Sequence, residues 1–170
     1  MTRSITRKAT TEDVPAIQRL VNGYADRDLM LPRSLSQLYE NVRDFHVVEE
    51  RGEVVACGAL HVSWKDLAEL KSLAVAEHHQ KKGFARSIVA ACISEARSLG
   101  VARVFALTYV PEMFERLGFS RIEKALLPRK VWTECVYCPK FQGCTEVAVI
   151  VEVGASPAPL RLDAQPVAER

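Results

Sequence analysis

At 170 residues the chain can bury one sizeable core, so a single domain is the default expectation. With 48% hydrophobic residues, 26% charged residues and a net charge of +2, it lacks the basic excess of a nucleic-acid-binding protein. No apolar run has the length of a membrane span, Met1–Arg7 carries no hydrophobic signal segment, and five cysteines are an odd number for a secreted disulfide framework. The expected setting is the cytoplasm.

Ser4–Lys8 reads as a first strand. Thr10 and Thr11 offer helix N-caps, Asp13 and Pro15 suit a first helical turn, and Val14, Ile17, Val21 and Tyr24 recur at helical spacing. Leu29–Arg33 is an irregular link. A second helix is expected from Ser34, with Leu35, Leu38, Val42 and Phe45 on one face. Phe45–Glu49 and Val54–Val62 read as paired strands joined at the charged turn Glu50-Arg51-Gly52-Glu53, and Leu67–Val75 as the next strand. Phe84, Ile88, Cys92 and Ala96 mark a helix that Gly100 would stop. Val101–Val110 is a further strand, Pro111 opens a short helix ending at Leu117-Gly118-Phe119, and Ser120–Leu126 and Glu146–Val153 are the last two strands. From Gly154 the chain gains prolines and loses periodicity, which predicts a domain over 1–153 and a flexible tail over 154–170.

Between the fourth predicted strand and the long helix lies Gln80-Lys81-Lys82-Gly83-Phe84-Ala85. A strand, a basic glycine turn and a helix N-terminus together make an anion cradle, because the first helical amides have no partner and the dipole adds positive charge. The Gly-Lys-Ser/Thr ending of nucleotide hydrolases and the three glycines of dinucleotide-binding turns are both missing. An ordinary tight turn is the competing reading. The pattern Gln-x-x-Gly-x-Ala, following Leu70-Lys71-Ser72-Leu73-Ala74-Val75, resembles the pyrophosphate loop of the GCN5-related N-acetyltransferases. The segment Arg7–Val21 is similar to the strand-to-helix opening of the same family, and the element order matches over roughly residues 4–153. The resemblance implies an α/β (α+β) fold with a mixed, mostly antiparallel sheet of about seven strands and about four helices.

The resemblance also implies an acetyl-CoA-dependent acyltransferase. Its cofactor would lie against the strand at Leu73, Ala74 and Val75. In the loop that begins at Gln80, the backbone amides of Lys81, Lys82, Gly83, Phe84, Ala85 and Arg86 would receive the pyrophosphate, and a splay between this strand and the one ending near Tyr109 would admit the cofactor. Bulk at Gly83 or Ala85 would obstruct the phosphates. The family often carries a tyrosine on its last helix that protonates the departing thiolate. Phe114 stands at that place in Met113-Phe114-Glu115-Arg116-Leu117-Gly118-Phe119, so that role does not transfer. Water would protonate the thiolate, or it would leave unprotonated. Glu69 is a candidate base, placed by strand alternation on the face of Lys71, Leu73 and Val75, against the alternative of a salt-bridged strand-end carboxylate.

A lysine side-chain amine, with a pKa of about 10.4, is free in only about one molecule in 2,500 at pH 7, whereas roughly a tenth of an α-amine is free. A site without obvious acid and base residues therefore suits an α-amine. The acceptor-side candidates Arg33, Lys71, Arg129 and Lys130 are all cationic, which suits an acceptor that carries carboxylates. The segments Leu31–Glu50, Cys57–Val75 and Lys130–Phe141 resemble short bacterial N-acetylglutamate synthases. That resemblance implies L-glutamate as acceptor, a place in arginine biosynthesis, and Arg33 and Lys71 as carboxylate ligands. It leaves a homodimer open. The alternatives are another amino acid or a protein N-terminus as acceptor, or a catalytically silent sensor. Cys135, Cys138 and Cys144 fall one short of a four-ligand zinc set, so no metal is assigned; redox sensing and plain reduced thiols are the other readings. Cys57 and Cys92 are expected in the core.

Overall fold

The computed structural model describes residues 4–128, 135, 137, 138 and 141–154. Its strands are β1 (Ser4–Lys8), β2 (Phe45–Glu50), β3 (Glu53–Trp64), β4 (Leu67–Val75), β5 (Arg103–Thr108), β6 (Ser120–Ile122) and β7 (Val147–Glu152). The helices are α1 (Val14–Ala25), α2 (Leu35–Glu40), α3 (Phe84–Ser98) and α4 (Pro111–Glu115). Together the strands form one seven-stranded sheet in the order β1-β2-β3-β4-β5-β7-β6. Among the described residues, β4 and β5 are its one parallel pair and the other neighbours run antiparallel.

Local chemistry sets these elements. Arg51 and Gly52 both hold positive φ, 55° and 80°, as the two-residue turn of the β2–β3 hairpin requires. The Arg7 guanidinium forks onto Asp13 at 2.7 and 2.9 Å and reaches Glu49 at 2.8 Å, tying the start of α1 to β1 and β2. That partner holds the Asp13 carboxyl below its usual range. On one face of the sheet α3 buries Ile88, Val89, Cys92 and Ala96 against β3 and β4. Gly58 permits this approach, since a Cβ there would lie 2.5 Å from Ile88 Cγ2. On the other face α1 and α2 bury Val14, Ile17, Val21 and Leu38 against Val47, Cys57, Ala59 and Ala74. Burial pushes the Cys57 and Cys92 thiols up to about 12, consistent with inert core positions.

Two expectations are corrected here. The second helix does not run on to Phe45. It ends at Glu40, Val42–Asp44 form a 3-10 turn, and Phe45 opens β2 opposite Ala59. The apolar spacing that suggested a longer helix joins a helix to a strand, and Leu35, on its supposed inner face, is 43% exposed. The sixth strand is also shorter than expected: it stops at Ile122, and Lys124–Leu126 turn into a 3-10 segment.

Candidate active site

β4 and β5 pair only at Leu67–Arg103, Ala68–Val104 and Glu69–Phe105. Beyond Glu69, β4 continues to Val75 while Ala106, Leu107 and Thr108 stay paired to β7 on the far side of β5. The two parallel strands therefore part, and the wedge between them is the floor of a cleft of about 700 Å³. Its walls are the α1–α2 link, the loop before α3 and the segment from Leu107 to Arg116.

A bulge shapes the floor. Cys57 pairs with Ala74 but Ala59 pairs with Lys71, so β4 spends one residue more than β3 over this stretch. Ser72, at φ 54°, takes up the extra residue. This overturns the expectation that Glu69, Lys71, Leu73 and Val75 share a face. Ala68 and Leu70 before the bulge, and Leu73 and Val75 after it, pack toward α3. Ala74 packs toward α1, on the face of Cys57 and Ala59. Lys71 is the cross-strand partner of Ala59 and Glu69 that of His61, so both side chains project to the α1 face.

The loop itself is wound by two left-handed residues, Lys81 at φ 62° and Gly83 at φ 85°, with Gly83 at the N-cap of α3. Among the described residues, no amide from Lys81 to Arg86 donates to a backbone carbonyl, as expected at the opening of a helix. Gln80, Lys81, Gly83, Phe84 and Ala85 line the cleft, as do Leu73 and Val75. Lys82 instead lies 3.5 Å from Glu50, which also meets His79 Nε2 at 3.0 Å. Ala74 is buried beneath α1. Arg86 is exposed on the first turn of α3.

One wall was missed from the sequence. The Tyr24 hydroxyl donates to the Val75 carbonyl at 2.6 Å and accepts from Gln80 Nε2 at 2.9 Å, with Arg27 over its ring at 4.8 Å. Helical spacing marked Tyr24 only as an apolar position; a tyrosine at the end of a helix, rather than a phenylalanine, was the available signal. Asn22 and Gln18, on the same helix, bond the backbone of Arg33.

Arg33, Glu69 and Lys71 all line the same cleft as the loop. Arg129 and Lys130 lie outside the described residues. Phe114 lines the cleft but is 4% exposed, edge-on to Phe119 with ring centroids 5.2 Å apart. Cys135 also borders the cleft, and burial, then the Glu69 carboxylate, raise its thiol to about 11, a poor thiolate at neutral pH. Cys144 lies 3.6 Å from Lys124 Nζ and 3.5 Å from a Glu146 oxygen. Among the described residues, no group of three or more His, Cys, Asp or Glu side chains is placed to hold a metal ion. No described helix is long and apolar enough to cross a membrane.

Comparison with known proteins agrees with this geometry. The acetyltransferase (GNAT) family profile matches residues 12–119. An uncharacterized N-acetyltransferase of Chlorobaculum tepidum is 39% identical over 144 residues, spanning 85% of this chain and 93% of the relative. An amino-acid acetyltransferase of Mycobacterium tuberculosis is 42% identical over 135 residues, or 78% of this chain and 77% of the relative. Among solved structures, the N-acetylglutamate synthase of Neisseria gonorrhoeae, complexed with coenzyme A and N-acetyl-glutamate, superposes with a TM-score of 0.81 at 25% identity. That match covers 90% of this chain and 36% of the synthase.

Proposed function

The chain belongs to the acetyltransferase (GNAT) family and is an acyltransferase that uses acetyl-CoA; from that premise we propose that it acetylates the α-amine of L-glutamate, as an entry step of arginine biosynthesis in the cytoplasm. The observation that carries this reading is the sharing of one cleft by the glycine turn before α3 and two cationic side chains, Arg33 and Lys71, on the α1 side of the wedge. A lysine and an arginine on this side of the cleft are matched to a dicarboxylate. The name and ligand of the similar Mycobacterium and Neisseria proteins point the same way.

Acetyl-CoA supplies a thioester carbonyl for direct attack by the amine. Among the described residues, β5 pairs with β4 only as far as Glu69–Phe105, and the amides of Leu73 and Val75 in the wedge beyond suit the pantetheine arm and the developing oxyanion. The amides from Lys81 to Arg86, which make no backbone hydrogen bond among the described residues, suit the pyrophosphate, and Lys81 adds a full charge at the cleft. Arg33 and Lys71 would hold the acceptor's carboxylates and bring its amine into line. Because roughly a tenth of an α-amine is already free at neutral pH, Glu69 needs only to take up the proton released on attack, directly or through water. The buried Phe114 ring has no proton to give, so the thiolate leaves unaided or takes its proton from water. Purified protein with acetyl-CoA and L-glutamate should release coenzyme A and form N-acetylglutamate in equal amounts; acetyl-CoA binding without release of thiol would remove the enzymatic reading of the acceptor wall.

A further inference from the structure

We propose that Asn22 is a positioning residue for the acceptor: it holds the backbone of Arg33 in place and thereby sets how tightly an acceptor carboxylate is gripped. The inference rests on the reading of Arg33 as a carboxylate ligand. Arg33 sits at the end of an irregular link between α1 and α2, and an irregular surface segment is ordinarily the loosest part of a fold. A cationic side chain on such a segment discriminates poorly between small acceptors unless its backbone is fixed to about half an ångström.

Asn22 supplies that constraint. Its Nδ2 donates to the Arg33 carbonyl at 3.1 Å, and its Oδ1 accepts from the Arg33 N–H at 2.9 Å. The reciprocal pair copies one rung of an antiparallel ladder, with a side-chain amide in place of a second strand. Gln18, one helical turn earlier, donates from Nε2 to the same carbonyl at 3.3 Å. Both amides stand on a helix anchored by the buried Val14, Ile17 and Val21. The next residue, Ser34, caps α2: it accepts from the Gln37 N–H at 3.2 Å, and its own N–H donates to Gln37 Oε1 at 3.0 Å. Arg33 is thus held from α1 on one side and from the α2 cap on the other.

An amide fits this place because it offers a donor and an acceptor side by side. Aspartate would keep the partner of the Arg33 N–H but set a carboxylate oxygen against the Arg33 carbonyl. Alanine would release both groups.

The test is a double-mutant cycle on steady-state kinetics, with Asn22→Ala, Arg33→Ala and the double variant, each checked for an intact thermal transition. Asn22→Ala should raise the KM for glutamate about tenfold, with the KM for acetyl-CoA changed by less than about twofold. In the double variant the glutamate KM should be no higher than in Arg33→Ala alone, since Asn22 acts through Arg33. Asn22→Asp should fall between Asn22→Ala and the unmutated protein, and it carries the test if the alanine variant does not fold. An unchanged glutamate KM in Asn22→Ala, or effects that simply multiply in the double variant, would overturn the proposal. If the unmutated protein prefers another amine to glutamate, the proposed substrate fails and the cycle is judged with that amine. Absence of turnover with every amine defeats both.

Discussion

The two walls of the cleft are built on different principles. The wall proposed for the cofactor is made of backbone: the β4 edge where β5 parts from it, a turn wound by Lys81 and Gly83, and the first amides of α3, which among the described residues make no backbone bond. The wall proposed for the acceptor is made of side chains, Arg33 from a link and Lys71 from a bulged strand, whose placement depends on bonds to neighbouring elements. A backbone site tolerates most side-chain changes and fails when its dihedral angles are disturbed. A side-chain site fails when a single charge is lost. Substitutions on the two walls should therefore separate into those that act on one KM and those that act on the other.

The largest effect is expected on the acceptor wall. Arg33→Ala removes charge-assisted, forked bonds, so the KM for glutamate should rise roughly 10- to 100-fold with the KM for acetyl-CoA nearly constant. Lys71→Ala should act in the same direction. A parallel rise in both constants would erase the division between the walls. Next comes the proposed cofactor wall: Gly83→Val meets no protein atom within 4 Å, so its cost in the free protein is the left-handed backbone, about 1–2 kcal/mol, and its bulk would also crowd a bound phosphate. The KM for acetyl-CoA should rise about tenfold while that for glutamate holds. The smallest effect belongs to Tyr24→Phe, which leaves the Val75 carbonyl and Gln80 without the hydroxyl that joins them. About 1 kcal/mol is at stake, so a roughly fivefold rise in the KM for acetyl-CoA is expected. An increase confined to glutamate would place Tyr24 on the wrong wall.

The same contrast explains what was legible in the sequence. The loop could be read because its backbone demands leave marks in the residues: a glycine where φ is positive, a preceding apolar strand and a following amphipathic helix. The bulge in β4 left no such mark. Its left-handed residue is Ser72 rather than glycine or asparagine, so strict alternation put Glu69 and Lys71 on one face with Leu73 and Val75. The stop of α2 was hidden for a related reason. Val42 and Phe45 continue the helical spacing, yet Phe45 is claimed by pairing with Ala59, a contact that no local pattern encodes. Asn22, Gln18 and Tyr24 read as ordinary helix residues because their partners, Arg33, Val75 and Gln80, are brought to them only by the fold.

The most direct measurement is the acceptor profile of the unmutated protein, taken as kcat/KM for coenzyme A release across L-glutamate, the other amino acids, lysine side-chain analogues and polyamines. A cleft with the glycine turn proposed for phosphate on one wall and Arg33 and Lys71 on the other predicts L-glutamate as the preferred acceptor, with polyamines essentially inert. Efficient release with polyamines or the lysine side chain, and little with glutamate, would contradict it.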